Sequence, residues 1–155
     1  MKQILLALSI LVLSSGTIGN LLAQESSINV SPISSPKKAR DDARKIAVKF
    51  ADRGYQIHPV GKGSNFEGTQ LIFQIELIKG MDYIIMVGID DAMPAVDLYV
   101  KSEGGNMIAQ DTRNLTRAVV EFSSDYNGVC EVIVKPVPSE VIGHFAVLVG
   151  YQPGF

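Results

Sequence analysis

The chain has 155 residues, of which 46% are apolar, with 14 Lys/Arg against 16 Asp/Glu and a net charge of −2. That balance suits one packed domain and excludes a disordered, highly charged polymer. A single cysteine, Cys130, excludes an internal disulfide framework, so the fold must be held by packing.

Lys2 precedes an apolar run, Ile4 to Leu13, broken only by Ser9, and Leu21-Leu22-Ala23 offers a small residue before Gln24. These features predict a secretory signal peptide over residues 1–23. The run falls short of the about 20 apolar residues that a spanning helix needs, and no cysteine follows it for lipid attachment. The expected location is therefore secreted or periplasmic, with no stable transmembrane anchor once the signal is cleaved. Residues 24–35 are polar and Ser-rich, the composition of a flexible mature N-terminus.

Ser35-Pro36 reads as an N-cap followed by proline at the first helical position. Ala39, Ala43, Ile46, Ala47 and Phe50 then recur at helical spacing, and Gly54 supplies a stop. One amphipathic helix is expected within residues 36–54, with an Asp41–Lys45 pair on its surface. Residues 36–53 carry seven Lys/Arg and three Asp, a net +4, whereas residues 54–155 carry six Lys/Arg and twelve Asp/Glu, a net −6. A basic helix beside an acidic domain is expected to dock on it, an anionic lipid or polymer being the other possible partner. The acidic β-domain disfavours nucleic acid, whose phosphates it would repel.

After Gly54 the apolar period changes from 3.6 to 2 over residues 55–155. Tyr55–Val60 is a candidate edge strand because of Pro59, with Gly61 and Gly63 marking a turn. Gln70–Ile78 follows, placing Leu71, Phe73, Ile75 and Leu77 on one face and Gln74, Glu76, Ile72 and Ile78 on the other. Full burial of those four large side chains would contribute about 6–12 kcal/mol before entropy. Tyr83–Ile89, Ala95–Lys101, Met107–Gln110, Arg117–Phe122, Val129–Lys135 and His144–Tyr151 complete the set, with a tight hairpin at Glu103-Gly-Gly-Asn106. Seven to eight short strands without a second helix predict an all-β fold, an antiparallel β-sandwich or jelly roll with one N-terminal helix. The face formed by Ile84, Met86 and Gly88 needs a cover, either the helix or another subunit.

Leu77-x-x-Gly80-x-x-Tyr83-x-Ile85, Asp97-Leu98-Tyr99-Val100, the Gly104-Gly105 turn, Ile108-Ala109, Phe122 and Gly128 together resemble the bacterial pre-peptidase C-terminal domain. The collagen-binding domains of bacterial collagenases are similar. The match covers about residues 70–135 and implies a β-sandwich that acts as a secreted accessory or recognition module. Cys130 stands where that family often carries tyrosine, the helical segment 36–53 lies outside the motif, and no peptidase domain accompanies it here.

Candidate chemistry is sparse. Asp90, Asp91, Asp97 and Asp111 are weak candidates for Ca²⁺, which takes about 6–8 oxygen ligands, but no EF-hand-like loop is present. His58 and His144 are the only histidines, and no Cys or carboxylate spacing around them suggests zinc. Cys130 is expected to be a buried core residue. Asn114-Leu115-Thr116 fits a glycosylation sequon in a surface loop, and Gly61-Lys62-Gly63-Ser64 lacks P-loop spacing. No nucleophile or acid–base pair predicts an enzyme. The expected function is a non-catalytic exported module that recognises a protein or polysaccharide. The alternative is a self-associating structural or assembly protein of the envelope. Tyr99, Tyr126 and Tyr151, with Tyr83, are the candidate partner contacts.

Overall fold

The computed structural model describes residues 34–65 and 70–154; the expected signal peptide and nearly all of the expected flexible segment lie outside them. Among these residues one helix, α1 (Pro36–Ala51), is followed by eight strands: β1 (Gln56–Ser64), β2 (Leu71–Leu77), β3 (Met81–Ile89), β4 (Val96–Ser102), β5 (Met107–Asp111), β6 (Arg117–Ser123), β7 (Gly128–Pro136) and β8 (His144–Pro153). The strands form two four-stranded sheets in the orders β1-β8-β3-β6 and β2-β7-β4-β5. All pairs are antiparallel. β4 pairs with β5, β3 with β6, β2 with β7 and β1 with β8. The chain therefore runs as one long hairpin, folded over at the β4–β5 turn and rolled into two sheets, which is jelly-roll topology.

Side-chain alternation builds the core between the sheets. Ile85, Val87, Val147 and Phe145 point inward from one sheet and Leu98, Val100, Cys130, Val132 and Val134 from the other. Leu71, Phe73 and Ile75 pack on this core only half-buried, with Leu77 alone fully buried. β2 is an edge strand, so its apolar face contributes less than full burial would. The turns follow their glycines: Gly80 and Gly105 both have φ of +80°, a region that side chains with a Cβ disfavour. Gly105 N–H donates to Ser102 O, and Ser102 N–H donates to Asn106 O, both at 2.8 Å, closing the expected hairpin.

β1 departs from expectation. It does not turn at Gly61 and Gly63 but runs through them to Ser64, with a bulge between Pro59 and Gly61. The reason is steric. A Cβ on Gly61 would come within 2.9 Å of Leu71 and one on Gly63 within 2.4 Å of the Phe145 ring. These glycines therefore make room for the core.

The helix lies over β3 and β8 on the second face of the β1-β8-β3-β6 sheet. Ala39, Ala43, Ile46 and Ala47 bury against Ile84, Met86, Ala146 and Leu148. Each large side chain taken out of water there is worth about 1.5–3 kcal/mol. Contact is at backbone distance: a Cβ on Gly88 would sit 2.2 Å from the Ala43 nitrogen and 2.6 Å from the Ala39 oxygen. Ser35 caps the helix, its hydroxyl accepting from Lys38 N–H. The helix ends at Ala51, two residues before the last basic residue of the expected segment, and Asp52 is its C-cap. Asp41 bonds Lys37 rather than Lys45, which reaches Asp42 instead. Two cations of the segment cross to the sandwich, Lys38 to Asp91 at 3.1 Å and Arg53 to Glu121. Solvent-exposed pairs of this kind add little to stability because water and salt screen them, so the apolar stripe carries the docking. No helix among the described residues is long and apolar enough to cross a membrane.

Gly88→Val should lower stability by about 1–3 kcal/mol through overpacking, read as a fall in the urea midpoint. Val48→Ala, on the outward side of α1 where Val48 is 60% exposed, should leave the midpoint unchanged. Equal midpoints for the Gly88 variant and the parent would contradict the packing described.

Candidate functional site

With one outer face under the helix, the outer face of the β2-β7-β4-β5 sheet is the remaining broad surface. Inward Leu98 and Val100 on β4 force Asp97, Tyr99 and Lys101 outward. The same alternation turns Val129, Glu131, Ile133 and Lys135 outward from β7 and Ile72, Gln74 and Glu76 outward from β2. The pairing register lines up Ile72, Ile133, Tyr99 and Gln110 as one row across all four strands. Ile72 is 47% exposed, whereas Ile133 and Tyr99 are half-buried. The adjoining rows are charged, with Glu131 opposite Lys101 and Lys135 opposite Asp97. Such opposite-sign cross-strand neighbours favour the pairing. Beside the apolar row lies a hollow of about 200 Å³ lined by Gln74, Lys101, Ser102 and Glu131. Tyr99 donates its hydroxyl proton to Asp97 Oδ2 at 3.3 Å. Desolvation first, then the Asp97 charge, raises its phenol pKa above the ordinary value.

Of the four tyrosines singled out from the sequence, only Tyr99 lies on this outer face. Tyr83 is buried, stacks on Phe122 with ring centroids 5.6 Å apart, and accepts from Ile78 N–H. Tyr151 packs on the inter-sheet core and stacks on His58 at 5.5 Å. Tyr126 also packs on that core, and its buried hydroxyl has no hydrogen-bond partner among the described residues.

The carboxylates considered for calcium do not converge. Asp90 accepts from Ser35 N–H and Ala92 N–H, Asp91 pairs with Lys38, and Asp97 holds Tyr99. Asp111 is buried and accepts from the Arg113 guanidinium and from Val119 N–H at 2.9 Å, locking the corner between β5 and β6. Among the described residues no group of three or more His, Cys, Asp or Glu is placed to hold a metal. His144 opens β8, where its carbonyl accepts from Asp90 N–H. Cys130 is fully buried, and desolvation pushes its thiol up to about 11. The Thr112–Thr116 loop is exposed, with Asn114 at φ of +59°.

Sequence reading missed two groupings. The Gln74–Lys101–Glu131 hollow requires the strand order, which alternation alone does not supply. The local Asp111–Arg113 pair was visible as an acid two residues from a base, but its reach to Val119 was not. No family model matches the chain, and no curated protein matches it.

Four carboxyls are held below their ordinary range, Asp41 and Asp42 on the helix surface and two on the sandwich: Asp111 by the Arg113 guanidinium and then by backbone N–H donors, and Glu121 by Arg53 and then by the Tyr55 hydroxyl. A folded-state pKa below the unfolded value gives stability that is present above about pH 4 and lost as pH falls through the folded values. The urea midpoint should therefore hold on the neutral side and drop on the acid side of about pH 4. Asp111→Ala should cost about 1–3 kcal/mol at pH 7, by orphaning Val119 N–H, and should flatten the acid-side fall. An unchanged slope in this variant would contradict the assignment.

Proposed function

We propose that this chain is an exported, non-catalytic recognition module that binds a protein partner through the outer face of the β2-β7-β4-β5 sheet. The carrying observation is the Ile72–Ile133–Tyr99 row, left uncovered by the described residues between charged rows while β3 and β8 on the opposite outer face lie under α1. An apolar centre with a polar rim is the anatomy of a protein interface, and the adjoining polar hollow would seat a partner's hydrogen-bonding group. Export is supported by the signal-like residues 1–23, and an accessory role by the resemblance of residues 70–135 to pre-peptidase C-terminal domains.

A polysaccharide is the weaker fit. Sugar rings stack on exposed aromatic faces, and Tyr99 is the single aromatic on this outer face among the described residues, half-buried and tied to Asp97. Self-association loses its first motive, because Ile84, Met86 and Gly88 are already covered. Whatever self-association remains would use the same Ile72 row.

Immobilised full-length chain should retain a protein from secreted or envelope fractions. Ile133→Asp and Tyr99→Ala should each weaken that retention by about tenfold, as central contacts do, without moving the melting temperature. Light scattering on the purified chain should report a monomer. Retention indifferent to both substitutions, or a dimer that Ile133→Asp dissociates, would overturn the reading.

A further inference from the structure

The helix is too narrow to cover its whole sheet. It lies over β3 and β8 and leaves a groove of about 300 Å³ beside β1, lined by Arg40 and Arg44 on one wall and Pro59, Val60, Gly61 and Lys62 on the other. Ala146 and Leu148 of β8 line it as well. Lys37, Lys38, Lys45 and Arg53 all have carboxylate partners, whereas Arg40, Arg44 and Lys62 have none within salt-bridge distance among the described residues. These three are among the described cations that make no ion pair, as is Lys49 of the same helix, which lies outside the groove. Asp41, between the two arginines in sequence, gives its carboxylate to Lys37 at 2.7 Å. Arg40 and Arg44 stand four apart on one helix face, where like charges repel and weaken the helix.

The bulge in β1 supplies the third cation. Pro59 pairs with Leu148 and Lys62 with Ala146, both on the outer face, while Gly61 pairs with inward Val147. Unbroken alternation from Pro59 would have turned Lys62 into the core. The extra residue, Val60, reverses the phase and turns Lys62 to the outer face, where it lines the same groove as the arginines; bulges perform this kind of re-aiming next to functional sites. Val60 itself is left 42% exposed on the wall.

We propose that this groove binds a single-chain anionic amphiphile, with its oxyanion head held by Arg40, Arg44 and Lys62 and its apolar tail against Pro59, Val60 and Leu148. Guanidinium forks match carboxylate and phosphate oxygens in pairs. The volume is at the small end of the about 300–1,000 Å³ typical of ligand pockets, enough for one short chain and too little for a folded partner. The site is distinct from the protein-binding face on the other sheet, and neither depends on the other.

The test is calorimetric titration of the full chain with decyl phosphate below its micelle concentration, beside inorganic phosphate and decyl maltoside. Decyl phosphate should bind one to one and about tenfold or more tighter than either control, because only it offers both head and tail. The double substitution Arg40→Ala/Arg44→Ala should weaken binding by at least about tenfold, while Lys49→Ala, on the same helix but outside the groove, should not change it. Amide shifts on titration of the unaltered chain should map to Gly61, Lys62 and Leu148, which tests the site even if the double variant folds poorly. Binding no tighter than inorganic phosphate, shifts elsewhere, or association only with phosphatidylglycerol vesicles would overturn the proposal.

Discussion

The contact between α1 and Gly88 of β3 is the constraint on which the rest of the molecule depends. A helix normally stands about 10 Å from a packed neighbour because side chains intervene. Here Ala39 and Ala43 on the helix meet a glycine on the strand, and the two backbones touch. That approach carries Ile46 and Ala47 down onto Ile84, Met86, Ala146 and Leu148, a second core outside the sandwich. A two-layer sandwich with one apolar outer face becomes three layers, with the β3 and β8 part of that face closed. It also decides which surfaces stay open, namely the outer face of the β2-β7-β4-β5 sheet and the strip of β1 that a single helix cannot reach.

The jelly-roll pairing governs the other side. Each hairpin pair fixes a register, and each register fixes which side chains share a face. Ile72, Ile133 and Tyr99 are 27 or more positions apart in sequence but stand in one row because β2 pairs with β7 and β7 with β4. Cys130, one strand position from outward Glu131, is sealed in the core by the same alternation. The bulge at Val60 is the place where the period is broken, and the consequence is local: it moves Lys62 from core phase to surface phase. Buried polar groups brace the loop end of the roll, where Asn65 bonds Ser139, Val141 and Gly143.

Much of this was legible without coordinates. Period-two alternation located every strand, and the cap, stripe and stop signals located the helix within two residues at its C-terminal end. The inward set of β2 and β4 and the burial of Cys130 also follow from alternation. Three things did not follow. Glycine was read as a turn signal at Gly61 and Gly63, where it serves to admit Leu71 and Phe145 into the core; a single sequence does not separate those uses. Tyr126 and Tyr151 have the same composition signal as Tyr99, yet their rings pack on the inter-sheet core, an outcome set by phase within β8 and by the turn before β7. The cationic groove depends on where a helix edge falls over a strand 15 or more residues later, a distance no local pattern encodes.

The docking of α1 is tested most directly by native-state hydrogen exchange. If the helix is an integral layer, amides of Ile46 and Ala47 should open only with the amides of β3 and β8, at the free energy of global unfolding. Exchange of those helical amides at nearly the rate of an unstructured peptide, with β3 and β8 still protected, would contradict the account.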